Sequence, residues 1–141
     1  VITQYVSLDA GAKKIDFRTV VDWHETEKVL KASFPVTVRS MFSTCESAHG
    51  SVQRPTHRNT SIDLAKFEIC MHKWVDLSES GYGVSVLNDC KYGCDVTDNV
   101  ISITLMRAPV CPDPTGDIGI NEFTYSLAPA YSPTIIYAII R

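Results

Sequence analysis

Apolar and polar residues alternate at every second position along most of the chain. Ile15, Phe17, Thr19, Val21 and Trp23 share one face of a segment whose other face carries Asp16, Arg18, Val20 and Asp22. That period of two is the mark of a half-buried strand. Leu30, Ala32, Phe34, Val36 and Val38 repeat the pattern against Lys31, Ser33, Thr37 and Arg39. Pro35 falls on the polar face there, which predicts an edge strand or a bulged one, because proline cannot donate to a ladder. Ala65, Phe67, Ile69 and Met71 alternate in turn, as do Tyr82, Val84 and Val86, then Ile101, Ile103 and Leu105, then Phe123, Tyr125 and Leu127. Residues 1–8 and 134–140 read as further strands, and 74–77 continues the segment before it. The signal over 41–50 is weak, and 63–74 is the stretch most open to a helical reading.

Turn signals separate these segments at Asp9-Ala10-Gly11-Ala12, Ser78-Glu79-Ser80-Gly81, Asn88-Asp89 and Asp98-Asn99. About eight short strands at hairpin-like spacing, with no convincing helix, predict an all-β chain folded as an antiparallel β-sandwich. Residues 1–141 read as a single domain. The apolar run 135–140 ends the chain, and the expectation is of a piece of something longer.

Two connections break the regular pattern. One is Gln53-Arg54-Pro55-Thr56-His57-Arg58-Asn59-Thr60-Ser61, a dense polar corner without apolar periodicity. The other is the proline-rich loop 107–121. Polar loops on a β scaffold are where binding residues gather.

Composition narrows the partners. The chain of 141 residues is 45% hydrophobic and 21% charged, with a formal net charge of -3. No basic excess exists to neutralise phosphates, so nucleic acid is not expected as a partner. The run 135–140 is far too short to span a bilayer, and residues 1–5 have no signal-peptide character. Cys45, Cys70, Cys90, Cys94 and Cys111 are odd in number and irregularly spaced, which reads as reduced thiols rather than a disulfide framework. Cys70 and His72 lie two apart, the least that a metal pair needs, but no second pair accompanies them.

Several segments resemble, in order, the C-terminal β region of glycoside hydrolase family 38 α-mannosidases. They are Val21-Asp22-Trp23-His24-Glu25, Phe34-Pro35-Val36, the polar corner 53–61, His72-Lys73-Trp74-Val75-Asp76-Leu77-Ser78, Gly81-Tyr82-Gly83-Val84, Leu87-Asn88-Asp89-Cys90-Lys91-Tyr92-Gly93 and Glu122-Phe123-Thr124-Tyr125. The branch they resemble is the cytosolic and vacuolar one. Ile62, Asn121 and Ala130 stand where the family pattern carries Trp, His and His. The resemblance implies a galactose-mutarotase-like sandwich, also called a supersandwich. It further implies a parent enzyme that removes terminal α-mannosides from oligosaccharides with retention, in the cytoplasm or vacuole. In that family the nucleophile and a divalent metal, usually zinc, belong to an N-terminal barrel, and no segment here matches it. No catalytic residue or metal ligand is therefore carried over. The expected partners are the catalytic barrel and a mannose-containing oligosaccharide; homo-oligomerisation stays open.

The candidate substrate-binding residues are Arg54, His57 and Arg58 in the corner and, as the resemblance implies, Arg107 and Asp117 in the long loop. Arginine suits sugar hydroxyls because its fork bridges two acceptors. The competing reading of the corner is structural, with Asn59, Thr60 and Ser61 satisfying the backbone of a tight turn. Asp113 reads as a solvated acid, and Trp23 and Trp74 as core rather than as platforms for a sugar ring. The function class is a non-catalytic β domain that braces the barrel and lends loops to the sugar site. The alternative is a free-standing carbohydrate-binding sandwich.

Overall fold

The structure, a computed structural model, describes residues 1–130. The strand expected over 134–140 lies outside the described residues. Among the described residues eleven strands and one short helix follow each other as β1 (Ile2–Ser7), β2 (Ile15–Trp23), β3 (Leu30–Pro35), β4 (Phe42–Ser47), β5 (Gly50–Pro55), α1 (Ser61–Leu64), β6 (Ile69–Cys70), β7 (Trp74–Glu79), β8 (Tyr82–Asn88), β9 (Gly93–Thr97), β10 (Val100–Met106) and β11 (Gly119–Ala130). They form two antiparallel sheets, one ordered β1-β2-β11-β8-β7-β4-β5 and the other β3-β10-β9-β6. The predicted sandwich is present, with eleven strands rather than about eight.

The alternation read from the sequence places the core. Val21 and Trp23 of β2, Val75 and Leu77 of β7, Val84 and Val86 of β8, Ile101 and Ile103 of β10 and Phe123 of β11 are all buried between the layers. Each large side chain taken fully out of water contributes about 1.5–3 kcal/mol. Phe34 of the smaller sheet meets Phe17 and Tyr125 of the larger one, with ring centroids 5.8 and 6.1 Å away, and Phe17 stacks on Tyr125 at 5.3 Å. This trio locks β3 onto β2 and β11. Pro35 ends β3, which is an edge strand as its sequence predicts. Trp23 and Trp74 are buried, as expected of core residues.

Some expected elements differ. Residues 65–71 do not form the alternating strand: pairing there is confined to Ile69–Cys70, and Phe67 is 71% exposed. Among the described residues helix occurs only at Ser61–Leu64, started by a capping box in which Thr60 and Asp63 bond each other's backbone N–H. His72 follows β6 rather than sharing a face with Cys70; its ring stacks on Tyr92 at 5.5 Å. Gln53, Arg54 and Pro55 belong to β5, so the polar corner begins inside a strand. Gly119 and Asn121 likewise already belong to β11.

The sheets are unequal. Seven strands face four, so among the described residues no strand opposes the inner face of β1, and every residue of β1 is exposed.

Candidate functional site

The outer face of the four-stranded sheet is polar yet largely covered. Outward positions along β3, β9 and β10 carry Lys31, Ser33, Asp95, Thr97, Ser102 and Thr104. Ser33 and Ser102, opposite each other in register, share a hydrogen bond of 2.8 Å between hydroxyls. Two arginines from the candidate set stand at opposite ends of this face, each beside an acid.

At one end, Arg58 Nη2 donates to Asp95 Oδ1 and to Thr97 Oγ1, both at 3.1 Å. Thr97 in turn donates to Asp95 at 3.2 Å, so hydroxyl, carboxylate and guanidinium close a three-membered cluster. The loop bearing Arg58 is held by its neighbour Thr56, which is 3% exposed. Its Oγ1 donates to Ser40 O at 2.6 Å, its N–H to Met41 O at 3.1 Å, and its carbonyl accepts from Asp98 N at 2.9 Å. One buried threonine thus ties three loops together. His57 Nδ1 lies 3.8 Å from Asp63 Oδ2, too far for a hydrogen bond, and is buried with no hydrogen-bond partner among the described residues. Arg54 points inward from β5, and its Nε is also buried without a hydrogen bond. Arg54, His57 and Arg58 line one cavity of about 120 Å³ together with Asp63, Lys66 and Asp95.

At the other end, Glu68 gathers Lys31 Nζ at 2.7 Å, the Thr104 hydroxyl and Arg107 Nη1 at 3.8 Å. Burial acts to raise the Glu68 carboxyl, but the Lys31 and Thr104 bonds outweigh it and hold it below the usual range. Asp117 Oδ2 accepts the backbone N–H groups of Arg107 at 2.9 Å and Ala108 at 2.8 Å, which clamps the base of the long loop. Ala108 takes a left-handed φ of 45° there. Arg107 and Asp117 line a wide hollow of about 820 Å³ with Glu68, Tyr92 and Thr104. The structure therefore splits the five candidates into two groups at two hollows. Asp113 bonds only within its own turn, to Thr115, and that bond holds its carboxyl low.

Asp95 and Glu68, the acids that receive the two arginines, were missed by sequence reasoning. Asp95 sits between inward-facing Cys94 and Val96, so alternation along β9 marks it as outward. Glu68 alternates with Phe67 and Ile69 in the sequence, but the strand expected there forms only at Ile69–Cys70. Among the described residues no group of three His, Cys, Asp or Glu side chains is placed to hold a metal ion, so the residues present do not fit a zinc site. No described helix is long and apolar enough to cross a membrane.

Comparison with known proteins gives this arrangement a family. The family model described as the glycosyl hydrolases family 38 C-terminal domain matches residues 1–115. The chain belongs to that family. Alpha-mannosidase 2C1 of Homo sapiens is 52% identical over 128 residues, which cover 91% of this chain and 12% of the relative. The alpha-mannosidase of Saccharomyces cerevisiae is 46% identical over 122 residues, covering 86% of this chain and 11% of the relative. The crystal structure of an alpha-mannosidase from Enterococcus faecalis V583 superposes with a TM-score of 0.86 at 20% identity, over 99% of this chain and 17% of that one. This glycosyl hydrolase family 38 C-terminal domain thus spans about an eighth of the length of the human relative.

Proposed function

We propose that residues 1–141 act as the non-catalytic β domain of a longer α-mannosidase that hydrolyses terminal α-mannosides of oligosaccharides. The domain braces a catalytic barrel and lends loops to the sugar site. The observation that carries this reading is the combination of a C-terminal-domain match with coverage of only 12% of the human relative. Zinc belongs to the barrel in this reading, and the parent works in the cytoplasm or vacuole. Of the five candidate residues, Arg107 is the one available to substrate, because its side chain is 67% exposed and its acid partner Glu68 is 3.8 Å away. Asp117 positions it by clamping the loop base, while Arg54, His57 and Arg58 shape the corner at the other end of the sheet face.

Three measurements test this. The isolated 141 residues release no aglycone from an aryl α-mannoside, with or without added zinc; turnover overturns the reading. In the full-length enzyme, Arg107→Ala lowers kcat/KM roughly ten-fold with little change in melting temperature, the loss of one charge-assisted contact. Calorimetric titration of the isolated chain with short mannosides gives no saturable heat; saturable binding points instead to a free-standing sugar-binding module.

A further inference from the structure

Arg54, Arg58 and Lys66 line the 120 Å³ cavity together with Asp63, Asp95 and His57. Both acids are already occupied. Asp95 accepts from the Arg58 guanidinium at 3.1 Å and from the Thr97 hydroxyl at 3.2 Å. Asp63 accepts from the Thr60 N–H at 3.2 Å and from the Thr60 hydroxyl at 2.7 Å, as part of the capping box. Arg54 and Lys66 are left over. Among the described residues no carboxylate forms an ion pair with either, and Lys66 bears on Asp63 only from beyond that distance. Arg54 is half-buried, and taking a guanidinium out of water without an acid beside it is costly.

Apolar residues stand next to the cavity. Ile62 and Leu64 flank Asp63 in the chain and Phe67 follows Lys66; they are 68, 54 and 71% exposed. One exposed apolar side chain is ordinary, but three large ones in so short a stretch, beside uncompensated cations, make a surface with two complementary halves. The volume decides what suits the charged half. Sites for whole small molecules run to about 300–1,000 Å³, so 120 Å³ admits a carboxylate head group rather than a hexose. Residues 131–141 contain no Asp or Glu and do not supply it. The chain covers only 12% of the human relative, so most of a parent of that length lies outside it.

We propose that this corner is a docking socket for the rest of the parent chain. One Asp or Glu side chain from outside residues 1–141 enters the cavity against Arg54 and Lys66, and an apolar segment beside it covers Ile62, Leu64 and Phe67. The inference rests on the reading of the chain as one domain of a longer α-mannosidase, and adds which surface meets the other part. The entering acid gives both leftover cations a partner, and a partly buried pair is screened by salt less than an exposed one. Burial of the three apolar side chains drives the contact.

The test uses the full-length native enzyme. A water-soluble carbodiimide joins a lysine amine to a carboxylate in contact with it through an isopeptide bond, and peptide mapping locates the link. The expected result is Lys66 linked to an Asp or Glu outside residues 1–141, with Lys66 acetylated by an amine reagent only after denaturation. Phe67→Ser, at an exposed position outside the sandwich core, opens the contact: the link is lost and Lys66 acetylates in the native enzyme. A Lys66 that acetylates in the unmutated native enzyme and links to nothing outside residues 1–141 overturns the inference. So does a link that joins two molecules, which makes this a self-association face, or a Phe67→Ser enzyme with link and protection unchanged. If Phe67→Ser does not fold, the map of the unmutated enzyme decides alone. Contact and turnover are read separately. An open Lys66 in an enzyme that cleaves an aryl α-mannoside sinks the socket and leaves the functional reading standing; a linked Lys66 in a protein without that activity does the reverse.

Discussion

Arg58 donates to Asp95 across the outer face of the four-stranded sheet, at 3.1 Å, and the same nitrogen reaches Thr97. The bridge fixes the polar corner to β9, far along the chain. Arg58→Ala leaves Asp95 with Thr97 alone. Both side chains are partly open to water, so the bridge is worth about 1 kcal/mol after screening. A thermal melt of the variant falls by a few degrees, and kcat/KM per folded molecule of the full-length enzyme stays unchanged. A fall in kcat/KM at constant melting temperature places Arg58 against the sugar instead.

Asp117 tests the loop clamp. Asp117→Ala leaves the N–H groups of Arg107 and Ala108 without their acceptor. The expected cost is about 1–2 kcal/mol, concentrated in the loop. Limited proteolysis reads it directly, with cleavage inside 108–118 accelerated while the sandwich core stays protected. Equal cleavage in both proteins means that prolines rather than Asp117 hold the loop.

Gly83 stands opposite Ser78 in the β7–β8 pair, and a Cβ built on it meets Ser78 Oγ at 2.1 Å and Ser78 Cβ at 2.8 Å. Gly83→Ala therefore overpacks this point by about 1–3 kcal/mol. Adding Ser78→Gly restores most of the loss by emptying that space. Urea unfolding of the two single variants and the double variant measures the coupling; additive losses refute the clash.

Two carboxyls pull the acid stability in opposite directions. Asp76 is 5% exposed; burial pushes its carboxyl up, while bonds from Ser78 at 2.6 Å and Ser85 at 2.8 Å work to lower it. A folded value above the unfolded one means that the folded chain holds the proton more tightly. Its contribution is full below the unfolded value and is lost as pH rises through the folded one. Glu68 is the reverse: its folded value is depressed, so its contribution is present above the unfolded value and lost as pH falls through the folded one. Urea midpoints from pH 3 to 7 check both. Asp76→Asn gains on the unmutated chain as pH rises, and Glu68→Gln is less sensitive to acid. Parallel curves for all three proteins sink the assignment.

Much of the sandwich was legible because its central strands turn one apolar face to the core. The alternation from Ile15 to Trp23 survives as alternating burial in β2, and Ile101, Ile103 and Leu105 form the apolar face of β10, whose Ser102 and Thr104 face is buried as well. What failed was pattern without burial. Residues 65–71 alternate as well as β2 does, yet Phe67 points to water, and only the fold reveals which apolar residues find a neighbour. The edge strand β5 went the other way. It buries none of its residues fully, so nothing in Ser51 to Arg54 separates it from a loop. The candidate residues were recognisable by type, but their partners were not. Asp95 and Glu68 reach Arg58 and Arg107 through sheet register and a turn, and neither relation has a local period.

The mismatch of seven strands against four has a practical consequence for handling the chain. Ile2 and Val6 lie on the inner side of β1, which no described strand opposes, and Tyr5 and Leu8 add further exposed apolar surface nearby. The free rim of β1 also offers unpaired N–H and C=O groups, a ready template for another strand. A preparation cut to these residues alone therefore self-associates with rising concentration, and light scattering follows it. Placing lysine at Val6 suppresses that association while leaving the melting curve nearly unchanged, because the side chain it replaces is 61% exposed.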